Sequence, residues 1–128
     1  MKPRRHVRMF KPRFALLVQA GTKLSTIRPT PKREIRAGDV LDLRQWKGLP
    51  YRSKQRKLRE AICTRVTPIR ISLRGSVLIV WLGRKLLFET ELEQLAQRDG
   101  FASAQEMFDW FEAEHGLPFA GVLIQWQP

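Results

Sequence analysis

The order of apolar and polar positions divides the chain into a strand-rich first two thirds and a helical stretch before the end. Between Pro12 and Ala20, Phe14, Leu17 and Val18 fall at i, i+3 and i+4, the spacing of one helical face. Pro12 suits a first helical turn and Gly21 a left-handed cap, so a short helix ending at Gly21 is predicted. Ser25 to Arg28 reads as extended, and Pro29 and Pro31 bias the residues before them against helix. After an Ala37-Gly38-Asp39 turn, Val40, Leu41, Leu43 and Trp46 form a strand apolar on much of both faces, which belongs in a buried sheet. Four more strands are predicted: Ala61 to Thr67, Ile69 to Leu73, Val77 to Trp81 and Lys85 to Phe88. Pro68, Arg74-Gly75-Ser76 and Gly83-Arg84 separate them.

The period then becomes helical. Thr90 with Glu93, and Ser103 with Glu106, have capping-box spacing, while Asp99-Gly100 and His115-Gly116 supply stops. Leu92, Leu95 and Ala96 form one apolar face and Met107, Phe108, Trp110 and Phe111 another, both read as core. Gly121 to Trp126 is a final strand. This order describes an α+β domain, a small β-barrel or mostly antiparallel sheet with peripheral helices.

Charge changes the picture. Residues 1–88 hold 23 of the 24 basic and 4 of the 12 acidic residues, and residues 89–128 hold 1 and 8, so the two parts carry +19 and −7. A polyanion is the expected partner, with the acidic helices facing away from it. Residues 1–10, with Lys2, Arg4, Arg5 and Arg8, read as a basic arm, either flexible or a short edge segment, and residues 11–128 as one domain. Lys47 to Arg59 reads as a mobile basic loop around Tyr51, offering Arg52, Lys54, Arg56 and Lys57 to a nucleic acid. The single Cys63 excludes an internal disulfide, His6 and His115 lack companions at metal spacing, and no stretch is apolar enough to span a membrane. A cytoplasmic protein without metal or cofactor is expected.

Three segments resemble the ASCH domain family. Gly21-Thr22-Lys23-Leu24-Ser25-Thr26-Ile27-Arg28 is similar to its Gly-x-Lys-x-x-Thr-Ile-Arg signature, and Gly38-Asp39-Val40-Leu41 follows at the expected distance. Leu95 to Phe101, Met107 to Phe111 and Pro118 to Trp126 resemble the family's closing helices and last strand. The resemblance covers about residues 10–126 and implies a PUA-like barrel with a cleft for a nucleotide or splayed base, and a role in RNA binding. Small bacterial relatives remove the acetyl group from acetylated cytidine. Carried over by motif, their lysine and threonine fall on Lys23 and Thr26, and their glutamate on Asp99, one methylene shorter.

Two kinds of chemistry are therefore open at these residues. Lys23 and Arg28 can hold a phosphate or a base edge. Alternatively, Thr26 attacks an amide, which requires a base; Lys23 serves only if burial or neighbouring cations lower its pKa from about 10.4. Arg28 pushes that way and Asp99 opposes it. RNA or nucleotide binding is the leading expectation. Hydrolysis of an acylated nucleoside amide or of RNA is the first alternative, and a protein-interaction adaptor the second.

Overall fold

Seven strands and three helices make up the chain, for which the computed structural model describes residues 2–128. In order they are β1 (Arg5–Met9), α1 (Pro12–Ala20), β2 (Ser25–Arg28), β3 (Val40–Trp46), β4 (Gln55–Arg74) and β5 (Val77–Leu82). There follow β6 (Lys85–Leu86), α2 (Glu89–Arg98), α3 (Ala104–His115) and β7 (Phe119–Trp126). The architecture is α+β, with the helices around a sheet that is antiparallel except where β1 runs parallel to β3. No described helix is long and apolar enough to cross a membrane.

Of the two readings of the basic N-terminal segment, Arg5–Met9 takes the second, a short strand at the edge of the sheet. Arg5 to Met9 pair with Val40 to Arg44, and Phe10 is buried. Hydrogen bonds to carboxylates hold β1 in place. His6 Nε2 lies 2.9 Å from Asp39 Oδ2, the Arg4 N–H donates to Asp39 Oδ1, and Arg5 donates to Asp42 and Glu60. The Arg5 and His6 side chains thus serve the edge of the sheet.

Four expectations change. Residues 47–54 are the turn of a β3–β4 hairpin, so Arg56 and Lys57 stand on a strand and not in a loop. The strands predicted on either side of Pro68 are one continuous β4. Pro68 is tolerated because its carbonyl accepts from Gly83 N at the end of the β5 ladder, so its missing N–H falls where no ladder bond is required. Lys85 to Phe88 shrinks to the two residues of β6. The N-cap of α2 is Phe88, its N–H bonded by the Glu91 carboxylate, and Thr90 lies inside the first turn; Ser103 caps α3 as predicted, accepting from Glu106 N at 3.1 Å.

The core runs between the sheet and the helices, with Val18, Leu43, Ile71, Val80, Met107 and Ile124 fully buried. Phe14 of α1 meets Phe101 edge-on at 5.4 Å and Trp110 of α3 at 5.6 Å, joining the first helix to the last. These contacts, with α1 against β3 and β4, set the walls of the site described next.

Candidate functional site

The strand path β1-β3-β4-β7-β2 ends on β1 and β2, which share no ladder. Their edges approach one another at a side-chain bridge. Arg28 donates through Nη2 to the Met9 carbonyl at 2.6 Å and through Nε to Thr26 Oγ1 at 3.0 Å. A cavity of about 230 Å³ opens beside this seam. Met9 at the end of β1 and Phe10 after it, Thr26 and Arg28 of β2, Phe14 of α1, Lys23 between α1 and β2, and Asp99, Phe101, Trp110, Phe111, Glu114 and His115 line it. About 150 Å³ suffices for benzene, so the cleft has room for one substituted planar ring.

Local backbone geometry delivers Lys23. Gly21 ends α1 in the left-handed region at φ 80°, and the N–H groups of Thr22 and Lys23 both turn back to the Leu17 carbonyl. Leu24 N then bonds to Arg98 O, tying the start of β2 to the end of α2 and bringing Lys23 to Asp99. Lys23 Nζ donates to the Asp99 carbonyl and stands 3.4 Å from Asp99 Oδ2, while Ser25 Oγ donates to Asp99 Oδ1 at 2.7 Å. Lys23 Nζ also lies 4.9 Å from the Phe14 ring centroid. Lys23 and Ser25, two apart, share Asp99; Thr26 and Arg28, two apart, share the second hydrogen bond, as strand alternation requires.

Burial governs the protonation of the first cluster. It pulls the Lys23 amine below its ordinary value, Asp99 opposing and Arg28 and Arg13 adding to the fall. It pushes the Asp99 carboxyl up against the pull of Lys23 and Ser25. Arg28 is brought down to about 10, chiefly by burial and then by Arg8, and is still charged at neutral pH. Among the described residues Arg28 makes no ion pair. Of the five N–H donors of a guanidinium, two are engaged here, so three are left for a ligand. Two exposed ion pairs strap α1 to α3 across the rim: Lys11–Glu114 at 2.7 Å, and Arg13–Glu106.

Lys23, Thr26, Arg28 and Asp99, all singled out from the sequence, converge on this cleft. Lys23 does not bond to Thr26, whose oxygen instead accepts from Arg28. Arg52, Lys54, Arg56 and Lys57 do not line the cleft; Arg56 bonds to Gln19 and Lys57 to Glu60. The acidic third supplies Asp99, Glu114, Phe101, Trp110 and Phe111 to the lining. Sequence reasoning missed Ser25, whose position two residues after Lys23 was the available signal, and Phe10, hidden in the supposed arm. Among the described residues, no three His, Cys, Asp or Glu side chains are placed to hold a metal. No protein-family model matches the chain, and no match is found among curated proteins or solved structures.

Proposed function

We propose that this is an RNA-binding domain of the ASCH, PUA-like kind, with an unpaired base or a nucleotide entering the cleft and phosphate meeting Arg28. Arg28 carries the reading. A charged guanidinium without a carboxylate partner lines an aromatic-walled cleft and keeps unused donors, which suits an anion attached to a flat ring. The Gly21–Arg28 segment that resembles the family signature is the segment that lines this cleft with Lys23, Thr26 and Arg28. The Thr26 hydroxyl, its oxygen occupied by Arg28, retains a hydrogen to donate to a ligand. Arg52 and Lys54 on the hairpin turn, with Arg56 and Lys57 behind them, are read as contacts along the phosphate backbone. The reading sets the protein in the cytoplasm.

Calorimetric titration with a mononucleotide tests the cleft. Binding by the wild type and its loss in Arg28→Met support it, whereas equal binding by both proteins contradicts it.

Amide hydrolysis has one observation in its favour, the depressed Lys23 amine. The mechanism needs that amine to take a proton from Thr26, yet its hydrogen bond goes to the Asp99 carbonyl. Incubation with acetylated cytidine decides between the two; a binding module leaves it intact.

A further inference from the structure

The β3–β4 hairpin tip carries an anomaly that the cleft does not explain. Arg52 N donates to the Leu49 carbonyl at 3.1 Å, which makes Leu49-Pro50-Tyr51-Arg52 a β-turn with proline at its second position. Tyr51, at the third, has φ 61°, and it is the one described non-glycine residue with positive φ. Proline followed by a left-handed residue is the pattern of a type II turn, whose third position ordinarily takes glycine because a Cβ is strained there. A bulky aromatic is an unfavourable choice for folding at this site.

Nothing in the fold compensates for that choice. Tyr51 is 90% exposed, and its one aromatic neighbour is Trp46, with ring centroids 5.2 Å apart at 49°. The turn itself is well bonded. Gly48 N donates to Ser53 Oγ, Ser53 Oγ donates to the Leu49 carbonyl, and Lys47 N donates to the Lys54 carbonyl. The ring is therefore presented on an ordered support, with Trp46 on one side and solvent on the other. Lys47, Arg52 and Lys54 belong to the same hairpin turn, and none makes an ion pair among the described residues.

We infer that Tyr51, supported by Trp46, is a stacking platform for an unpaired base of single-stranded nucleic acid, with Lys47, Arg52 and Lys54 holding the adjoining phosphates. Sequence-tolerant binders of single strands combine an exposed ring with cations in this way. The inference rests on the reading of the hairpin as a phosphate contact and adds the residue that takes the base. One ring and the exposed Leu49 are a small apolar tip, too little to hold a bilayer surface firmly, whereas a stacked base needs only one ring face.

The test separates fold from function at one position. Tyr51→Gly should have a Tm equal to or above wild type, because glycine fits the left-handed turn. Its affinity for a labelled single-stranded oligoadenylate should fall about 5- to 100-fold, the usual loss for one base–aromatic stack. Tyr51→Phe should bind like wild type and Tyr51→Leu like the glycine variant. Wild-type affinity in Tyr51→Gly, or a Tyr51-dependent co-sedimentation with phosphatidylserine vesicles, overturns the platform. Arg52→Glu with Lys54→Glu distinguishes the two levels. If this pair weakens binding and Tyr51→Gly does not, the platform fails and the phosphate contact stands; if neither change matters, both fail.

Discussion

Lys23 Nζ lies 3.4 Å from Asp99 Oδ2 with both side chains almost wholly out of water. Such a pair is costly to desolvate, and removing one partner leaves the other buried without its counterpart. Lys23→Met should therefore lower unfolding free energy by about 3 kcal/mol, a typical cost for breaking a buried pair. The Lys23→Met, Asp99→Leu double variant should recover much of that loss. Chemical denaturation of the singles and the double checks this, and additive losses would show that the two side chains do not act as a pair.

Thr26 and Arg28 predict a graded effect on nucleotide affinity. Arg28→Lys keeps the charge and loses the planar fork that reaches Met9 and Thr26 together, so affinity should fall about tenfold, or about 1.4 kcal/mol. Thr26→Val removes one hydroxyl and should cost about 1 kcal/mol or less. Calorimetry on both variants measures the order. A Thr26→Val loss exceeding that of Arg28→Lys would place the hydroxyl, and not the guanidinium, at the centre of recognition.

Asp39 fixes β1 and sets an acid limit on stability. Its carboxylate is held at about 2 against an ordinary 3.8, first by the Arg36 N–H and then by His6 and the Arg4 N–H. The folded value lies below the unfolded one. Its contribution is thus complete above about pH 4 and is lost as pH falls through about 2. Asp39→Ala, which leaves His6 and two N–H groups without their partner, should cost about 2 kcal/mol at neutral pH. Urea unfolding from pH 6 downward should show the gap between wild type and variant closing in acid; a constant gap would contradict this role.

Gly121 controls the seam from the opposite strand. A Cβ there would meet the Arg28 carbonyl oxygen at 2.1 Å, and backbone atoms on both sides would have to move apart. Gly121→Ala should destabilise the fold by about 2 kcal/mol, within the usual range for overpacking, and displace the β2 end that carries Arg28. Thermal unfolding with a nucleotide titration reads both effects, and a variant with native stability and affinity would show that the strands separate freely.

The fold was legible where local pattern and tertiary role agree. The helix ending at Gly21, the Ser25–Arg28 strand and the Ser103 cap follow from neighbouring residues. β1 was legible only as one of two readings, a flexible arm or an edge segment, because its inward position is His6 while Val7 is 43% exposed, the reverse of the usual alternation, and because its parallel pairing with β3 is non-local. β4 was divided at Pro68, since a proline reads as a boundary unless its missing donor is known to face no partner. In the site, Lys23, Thr26 and Arg28 lie within one short segment. The Ser25–Asp99 bond and the Arg8 and Arg13 fields join distant segments that no spacing rule connects.

Binding of single-stranded RNA across a range of salt tests the central claim most directly. Fluorescence anisotropy with labelled RNA should give an affinity that falls with a log–log slope of about −3, as expected when about four phosphates are neutralised. Arg52→Glu with Lys54→Glu should make that slope shallower, and Arg28→Met should weaken binding in addition to it. No binding at low salt, or binding indifferent to salt and to all three substitutions, would contradict the account.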